Sequence, residues 1–427
     1  MIGKLLVLGS DFGTIQVVKE AKKCGLYVIV ADLMEDSPTK KNADEAWLIS
    51  TTDLDLLEQK CKSENVSAIM FGASDFNISN CRELCRRLNL PIYCENDMIW
   101  ERVRDKHCFK KICKEVGAPV AKDFVISQQM TEEELDSVIY PVVVKPSDKS
   151  GNRGMSFCNN QKELIDAYKL ALDISDNKKI IVEKKLNGPE FNVHYVLADG
   201  KASLLYFSST HHQEGQSSNL YSFKCTTSNH LKQYIQEVDI YVKRVFEKIG
   251  CKDGIAWVDI MRDDDGKFYL LEMGHRFGGV MTYAPYEKVC GFNTVKWMLE
   301  CALGKKHTHE DLPKDLNCAY TACAASYHLF TTQGGCVDRI EGLEKIEKMP
   351  NVYIDMPKRE KNIVRKNACM GLIGIYAENV DELCVTLKNI NEVLKVKNSF
   401  GEEIIIHFDG YDEVTREYNE GLSTFKM

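Results

Sequence analysis

The sequence contains no apolar run long enough to cross a membrane, no basic tail and no block of lysine and arginine. A membrane-spanning helix needs about 18 or more consecutive apolar residues, so a membrane-embedded protein is not expected. The net charge is −8, from 55 basic and 63 acidic residues. An acidic chain without a basic patch repels phosphate backbones and anionic lipids. Nucleic acid and membrane surfaces are therefore poor candidate partners.

None of the 17 cysteines belongs to a Cys-x-x-Cys pair. Pairs of that kind mark zinc and redox sites, whereas scattered cysteines such as Cys24 and Cys113 are typical of small core hydrophobes. The N-terminus has a short apolar run but lacks a basic segment and a small-residue cleavage site, so it predicts a first strand and not a signal peptide. Because free thiols persist in reducing compartments, we expect a cytoplasmic protein.

Internal repeats and low-complexity linkers are also missing from the 427 residues, of which 44% are hydrophobic and 28% charged. That composition is typical of a globular chain, and the length suits about two to four domains. Strand and helix patterns alternate over residues 1–105, which predicts a βαβ series and a doubly wound parallel sheet. From about residue 306 the pattern changes to strands at 319–329, 363–376 and 403–407 around a helix at 380–394, which predicts an α+β domain without catalytic residues.

The first βα turn, Gly9 to Gly13, is followed by Asp32 after the next strand. This pattern is compatible with NAD binding but lacks the full G-x-G-x-x-G spacing, so a tight structural turn is the favoured interpretation. Strand ends of a doubly wound sheet face a ligand crevice. Polar residues at two such ends are candidate substrate contacts: Ser10, Asp11, Ser74 and Asp75.

A β-hairpin predicted over residues 255–273 carries the central candidate site. Asp265-Gly266 separates two apolar runs and favours a two-residue type I′ turn. That turn puts Asp259 directly opposite Glu272, with Cβ atoms about 4.5–5.5 Å apart, whereas a three-residue loop would put them on opposite faces. Two facing carboxylates suit Mg²⁺, which prefers oxygen ligands. Solvated acids on an exposed sheet face are the alternative.

Two further segments contain features of anion binding. Gly274, Gly278 and Gly279 allow backbone to approach a ligand around Arg276, whose guanidinium can bind a carboxylate or phosphate. Lys145 ends a buried strand and is followed by a polar loop at 147–156 with Gly151 and Gly154. Backbone N–H groups in such loops can cradle phosphate oxygens. A Walker A motif is absent, and an ordinary mobile hairpin loop is the alternative.

The polar loop at residues 208–222 is a candidate specificity segment. Its histidines His211 and His212 are adjacent in sequence. Adjacent side chains tend to point apart, so a metal site formed by this pair is not expected.

The order and spacing of these segments resemble the ATP-grasp superfamily, in particular its biotin-carboxylase-like branch with carboxylate–amine ligases such as L-amino-acid ligases. No single motif carries the resemblance, which extends over nearly the whole chain. It implies an α/β and α+β multidomain fold. The N-terminal βαβ domain is expected at residues 1–105, an ATP-grasp core of two α+β subdomains at 106–305, and a C-terminal α+β lid-like domain at 306–427.

The resemblance also implies roles for individual residues. Lys106 and Lys145 are similar to the lysines that contact nucleotide phosphates, and Asp259 and Glu272 to the pair that holds Mg²⁺, with Mn²⁺ as an alternative ion. Arg276 is similar to the arginine that orients the acyl phosphate, so Arg276 and Lys145 are the expected catalytic residues. The nucleotide contacts are expected from Lys106, Lys145, Ser147, Gly151, Gly154, Met155, Glu183 (adenine amino group), Lys184, Leu186 and Glu190 (ribose).

One departure from the family pattern lies at the second metal segment. The family often has E-x-N-x-R, whereas this chain has Glu272-Met273-Gly274-His275-Arg276. Gly274 supplies no ligand, so a second metal ion is expected to bind more weakly, or His275, water or substrate fills the place. His275 and Gly278 are additional candidate substrate contacts.

The resemblance implies an ATP-dependent ligase that joins a small carboxylate to an amine through an acyl phosphate, releasing ADP and phosphate. Two alternatives remain: a bicarbonate-using carboxylase or carbamoyl-phosphate-type enzyme, and a nucleotide-binding ATP-grasp module without turnover. Because relatives are often dimers, a homodimer is a further expectation. The sequence does not identify the acyl and amine substrates.

Overall fold

The computed structural model describes residues 3–94, 96–149, 153–213, 220–279, 282–357 and 360–426. Within these ranges, no helix combines the length and apolar character that membrane crossing requires. The α-helices are α1 Thr14–Lys23, α2 Pro38–Asn42, α3 Leu54–Glu64, α4 Asp75–Leu88, α5 Asp97–Arg104, α6 Lys106–Glu115, α7 Glu132–Asp136, α8 Gln161–Ile174, α9 Leu231–Glu237, α10 Asp239–Ile249, α11 Tyr283–Cys290, α12 Thr294–Ala302, α13 Leu343–Glu347, α14 Val380–Val393 and α15 Tyr411–Lys426.

The strands in the same ranges form four sheets. They are β1 Lys4–Leu8, β2 Tyr27–Ala31, β3 Glu45–Trp47, β4 Ala68–Phe71, β5 Asp123–Phe124, β6 Val142–Pro146, β7 Ser156–Cys158, β8 Ile180–Lys184, β9 Glu190–Ala198, β10 Lys201–His211, β11 Phe223–Thr226, β12 Gly254–Arg262, β13 Phe268–Gly274, β14 Cys323–Phe330, β15 Gly335–Glu341, β16 Val352–Asp355, β17 Ile363–Val364, β18 Cys369–Ala377 and β19 Lys395–Asn398.

The N-terminal sheet has the order β3-β2-β1-β4, and all of its strands are parallel. Its central strands are almost wholly buried, as expected of a parallel sheet covered by helices on both faces. This confirms the predicted βαβ series. The alternating pattern of the sequence also predicts a strand at Pro91–Tyr93, and that prediction is wrong. That segment crosses towards β13 instead, where the Tyr93 hydroxyl donates to the carbonyl of His275 at 2.9 Å.

The largest sheet has eight strands in the order β13-β12-β9-β10-β11-β14-β18-β16, and its pairs are antiparallel. Strand β11 pairs with β14, so the sheet continues across the domain boundary predicted at residue 305. The aromatic rings of Phe191, Phe207 and Phe268 pack on one another beneath it. This core holds β9, β12 and β13 in the register that positions the candidate site.

The hairpin turn between β12 and β13 differs from the prediction. Asp263 N donates to Lys267 O at 2.9 Å, and Gly266 has a φ of 79°, so the loop has three residues, with glycine in the left-handed position. The register then shifts by one residue between Asp259 and Ile260, because β13 bulges at Leu271. The bulge offsets the one-residue difference between the predicted and the observed loop, so Asp259 still pairs with Glu272.

A small antiparallel sheet, β5-β8-β6-β7, carries the second candidate segment. Val143 of β6 lies opposite Glu183 of β8, so Lys145, two residues further along β6, is a diagonal neighbour of Glu183 on the same face. The sheet thus brings together a lysine and a glutamate that are 38 residues apart in the sequence.

Two further sequence predictions need correction. The sequence pattern predicts one helix at 229–249, but the structure splits it at Val238 into α9 and α10. At this break Asp239 accepts a hydrogen bond from the Tyr195 hydroxyl at 2.7 Å. The last strand expected at 403–407 forms only isolated bridges. The chain ends instead in α15, whose apolar face packs against α14 and α9.

Candidate active site

A pocket of about 950 Å³ lies between the N-terminal sheet, the small sheet and the β12–β13 hairpin, and is called the central pocket below. Most of the residues predicted from the sequence line it: Ser74, Asp75, Lys106, Lys145, Met155, Glu183, Lys184, Leu186, Glu190, Asp259, Glu272, His275 and Arg276. Gly151 lies outside the described residues. The remaining predicted residues, Ser10, Asp11, Ser147, Gly154 and Gly278, do not line the pocket.

Three carboxylates meet on one face of β9, β12 and β13. Asp259 pairs with Glu272 on one side and with Asn192 on the other, and Glu190 pairs with Met261, two residues from Asp259. Burial, together with the charge of Asp259, raises the pKa of Glu190 to about 7. Burial and the charge of Glu272 also raise the pKa of Asp259. Carboxylates whose charges oppose one another in this way form a natural cation site.

Lys106 neutralises one of the three acids. Its Nζ atom lies 2.6 Å from Glu272 Oε2 and also donates to the carbonyl of Lys149 at 3.0 Å. Burial alone would raise the pKa of Glu272, but Lys106, Lys145 and Arg276 lower it overall. An aspartate directly before a helical pattern predicts an N-cap. Asp105 is that cap, accepting from the backbone N–H of His107 and Cys108, and helix α6 therefore presents Lys106 at its first position.

Glu183 is held between two lysines. Lys145 Nζ lies 2.5 Å from Glu183 Oε1, and Lys110 contacts Glu183 Oε2 and Asp123. Burial alone would raise the pKa of Glu183, but Lys145 and Lys110 lower it overall. Burial alone would lower the pKa of Lys145, but Glu183 raises it overall. Both groups therefore carry charge, and Lys145 presents a full positive charge to the pocket.

Arg276 forms a two-pronged ion pair with Asp75. Its Nε lies 2.5 Å from Asp75 Oδ1 and its Nη2 3.1 Å from Asp75 Oδ2, while Nη1 donates to the carbonyl of Phe277 at 2.7 Å. The guanidinium also lies 5.3 Å from the ring centre of Trp257. The planar fork is thus fixed in orientation where it lines the pocket, between the first residue of α4 and the indole ring.

Gly274, the departure from the family pattern, has a steric explanation. A Cβ atom on Gly274 would lie 2.4 Å from ring atoms of Trp257, and these two residues pair across β12 and β13. The indole therefore covers the position from which a side chain would reach the metal pair. His275 does not fill that position, because its Nε2 lies 2.7 Å from the carbonyl of Asp253. Burial lowers the pKa of His275 to about 4, so its ring is neutral.

The predicted residues outside the pocket have local partners. Ser10 shares a hydrogen bond with Ser37, Gly278 donates to the Tyr283 hydroxyl, and Ser147 binds Asn177. Asp11 accepts from Asn77, and burial raises its pKa to about 7. Gly154 approaches Pro146 and Ile174 with a φ of 76°. The contacts of Ser10 and Asp11 support the N-terminal turn, and those of Ser147 and Gly154 support the small sheet. The contact of Gly278 joins the segment after β13 to α11.

A carboxylate of the chain itself accepts the backbone N–H of Gly13 in the first βα turn. Gly13 N donates to Asp355 Oδ2 at 2.8 Å, and the same oxygen accepts from Gln16 at 3.0 Å. Asp355 thus occupies the start of α1, which is the position that a dinucleotide phosphate takes in an NAD-binding turn. This contact argues against the NAD interpretation and supports the structural one.

Sequence reasoning missed four residues in and around the pocket. Lys224 of β11 is 2% exposed, lies 4.3 Å from the Tyr221 ring centre, and lowers the pKa of Glu190 and Asp259 through its charge. Trp257 and Tyr221 both line the pocket. Lys110 could have been found from its spacing, since it lies one helical turn after Lys106. No sequence pattern indicates Lys224, because the acids that it acts on lie on other strands.

Comparisons with known proteins find similar sequences and folds. Residues 114–297 match the family described as D-ala D-ala ligase C-terminus. The formate-dependent phosphoribosylglycinamide formyltransferase of Prochlorococcus marinus is 29% identical over 43% of this chain and 48% of its own length. The chain thus matches about half the length of that relative.

Two solved structures have the same fold over nearly the whole chain. The L-amino acid ligase from Bacillus licheniformis has a TM-score of 0.75 at 18% identity, covering 93% of this chain and 99% of its own. The biotin carboxylase domain of the 2-oxoglutarate carboxylase of Hydrogenobacter thermophilus, a dimer in complex with MgADP and bicarbonate, has a TM-score of 0.73 at 17% identity, covering 98% of each chain. The chain therefore has the fold of these two enzymes, and its residues 114–297 are similar to the D-ala D-ala ligase C-terminal family.

Proposed function

We propose that the chain is an ATP- and Mg²⁺-dependent ligase that joins a small carboxylate to an amine through an acyl phosphate, releasing ADP and phosphate. The observation that carries the proposal is the meeting of four groups in one pocket. Asp259 and Glu272 face each other across the hairpin, and Lys106 and Lys145 reach the same pocket from α6 and β6. Two acids for a cation and two lysines for phosphates are what this reaction requires.

The acids fit a magnesium ion by their chemistry. Asp259 and Glu272 offer hard oxygen ligands on a rigid strand pair, and the raised pKa of Asp259 and Glu190 marks a shortage of positive charge among them. Mg²⁺ held by Asp259 and Glu272 would neutralise charge on the phosphate oxygens. With Gly274 covered by Trp257, we expect one firmly bound ion and a weaker second one.

The lysines and the arginine align two anions that repel each other. Attack of a carboxylate on the γ-phosphoryl group forms the acyl phosphate and breaks the bond to ADP, and it needs no protein nucleophile. Lys145, kept charged by Glu183, and Lys106 bind phosphate oxygens. Asp75 orients Arg276 through Nε and Nη2, and the remaining N–H groups of Nη1 and Nη2 are directed to the carboxylate of the acyl substrate. The amine then displaces phosphate to form the C–N bond.

The ligase proposal is tested by a substrate screen. Purified protein with ATP and Mg²⁺ is given pools of amino acids and small amines, and release of ADP and phosphate is measured. We expect at least one pool to raise phosphate release well above background, and Lys145→Ala to remove the increase. Lys122→Ala is the matched control, because Lys122 is an exposed lysine of the same domain that does not line the pocket. Failure of every pool contradicts the proposal.

Bicarbonate chemistry is the second candidate, favoured by the extent of the fold similarity to the 2-oxoglutarate carboxylase structure. In this reaction bicarbonate takes the place of the organic carboxylate and forms carboxyphosphate. The same assay separates the two candidates: phosphate release that needs bicarbonate alone favours carboxylation, and release that needs an organic acid together with an amine favours the ligase.

A further inference from the structure

A second group of metal-ligating side chains lies outside the central pocket, at the contact between β10 and the C-terminal helix α15. His211, the last residue of β10, faces Glu413 and Glu417, which are one turn apart on α15. One ligand atom from each of the three lies within 4.8 Å of the other two. We call these residues the His211 cluster.

The His211 cluster is buried but its hydrogen bonding is incomplete. His211 is 1% exposed and packs near the rings of Phe223 and Phe408. Among the described residues, neither His211 Nδ1 nor Glu417 Oε2 has a hydrogen-bond partner. A buried polar atom without a partner costs about 1–3 kcal/mol. Two such atoms in one buried cluster point to a missing ligand.

The distance between His211 Nδ1 and Glu413 is that of two metal ligands. His211 Nδ1 lies 3.4 Å from Glu413 Oε1, and His211 Nε2 lies 3.6 Å from Glu417 Oε2. A charged imidazolium would form hydrogen bonds of about 2.7–2.9 Å to carboxylates. Two ligands of a tetrahedral zinc ion, each bound at about 2.0 Å, lie about 3.3 Å apart. The Nδ1–Glu413 separation is close to the second value, whereas Nε2 lies beside Ser209 and is not the nitrogen that would bind the ion.

Ser209 supplies the partner that metal-binding histidines usually have. Its hydroxyl lies 2.8 Å from His211 Nε2. If Nε2 carries the proton and donates to Ser209, the lone pair of Nδ1 points to the side of Glu413. A hydrogen bond of this kind fixes the ring and its tautomer in metal sites. Two carboxylates and one neutral imidazole would also balance the charge of a divalent ion.

We propose that His211, Glu413 and Glu417 bind a divalent transition-metal ion of the zinc type, which fastens the C-terminal helix to the end of β10. Imidazole and carboxylate are both ordinary zinc ligands. The next residue, His212, lines the central pocket. The ion would therefore stabilise the edge of that pocket from a separate site, without taking part in phosphoryl transfer.

The proposal is tested on the full chain by titration with zinc as the only transition metal. Excess Mg²⁺ is present to compete with zinc at the proposed Asp259–Glu272 site. Calorimetry on the chelator-treated protein should show one high-affinity zinc ion. Glu417→Gln and Glu413→Gln should each weaken binding by at least about 10–100-fold, the loss seen even for outer-shell partners of metal sites. The matched control is Glu420→Gln on the same helix, which contacts Asn229 and not the cluster, and it should bind zinc as the wild type does.

Zinc-edge anomalous diffraction from the wild-type protein keeps the test independent of how the variants fold. A peak within bonding distance of His211, Glu413 and Glu417 supports the proposal. No peak there, a peak only between Asp259 and Glu272, or unchanged affinity in well-folded Glu417→Gln overturns it. Because this readout needs neither ATP nor turnover, it is separate from the fate of the proposed ligase activity.

Discussion

The indole ring of Trp257 lies over the α-carbon of Gly274, where a Cβ atom would approach ring atoms to 2.4 Å. The absence of a side chain at position 274 and the presence of tryptophan at position 257 are therefore one structural feature. The ring covers the position at which the family pattern often has a further polar side chain, and it forms an aromatic wall of the pocket beside Arg276.

The first prediction concerns this packing. Gly274→Ala should lower the free energy of unfolding by about 1–3 kcal/mol, because overpacking at a rigid ring forces the surroundings to shift. In a Trp257→Ala background the same change should cost little, and urea unfolding of the four proteins measures the coupling. Gly279→Ala is the control, since a Cβ there meets nothing within 4 Å. Equal stability of Gly274→Ala and wild type would show that the ring does not constrain this position.

The second prediction concerns the acid group and pH. Burial, with the charge of Asp259, raises the pKa of Glu190 from its ordinary value of 4.5 to about 7. Between pH 4.5 and about 7, Glu190 is protonated in the folded protein but ionised in the unfolded chain. The free energy of unfolding therefore falls as the pH rises through this window. Glu190→Gln should be more stable than wild type by about 1–3 kcal/mol at pH 8, and the difference should vanish near pH 4.

Urea unfolding at pH 4, 6 and 8 measures this dependence, and Mg²⁺ provides an internal check. Saturating Mg²⁺ should shrink the difference at pH 8, because the ion relieves the same repulsion. A difference that grows towards low pH would contradict the proposed repulsion among the three acids.

The third prediction concerns the ion pair between Arg276 and Asp75. Arg276→Lys keeps the charge but loses the two-pronged fork, so it should reduce the kcat/KM of ATP-dependent phosphate release by about 10²-fold or more. Asp75→Asn frees the guanidinium from its orienting partner and should reduce it by about tenfold. Steady-state kinetics with the substrate found in the screen provides the measurement. Full activity of Arg276→Lys would show that catalysis does not need the two-pronged guanidinium.

The fourth prediction concerns the buried lysines around Glu183. Lys110→Met leaves Glu183 with Lys145 alone and removes a charge that also neutralises Asp123. Loss of one partner of a buried ion pair typically costs about 3–5 kcal/mol, and denaturant unfolding should show a loss of that order. Lys114→Met is the control, because Lys114 is largely exposed and contacts only Asp123 within this group. Similar losses for both variants would mean that the contact with Glu183 adds nothing.

The sequence predicted the parallel N-terminal sheet, the cap of Asp105 and the pairing of Asp259 with Glu272, because these depend on local patterns. The last of these was right for a partly wrong reason. The turn has three residues, and a bulge at Leu271, which no pattern announced, restores the register. Bulges depend on how a strand packs against its neighbours, and periodicity alone does not contain that information.

Contacts between distant segments were beyond sequence reasoning. Lys224 reaches the acids from β11, Asp75 holds Arg276 from 201 positions earlier, and Asp355 satisfies Gly13 from the far end of the chain. Each of these pairs is brought together by the fold as a whole. The helix α15 was also missed, although it carries two of the three residues of the His211 cluster.

A crystal structure of the protein with Mn²⁺ and a non-hydrolysable ATP analogue tests the central claim most directly, since the anomalous signal of Mn²⁺ locates the ion. The account predicts the ion between Asp259 and Glu272, with the phosphates in contact with Lys106 and Lys145. Phosphates bound away from these lysines, or an ion without contact to either acid, would contradict it.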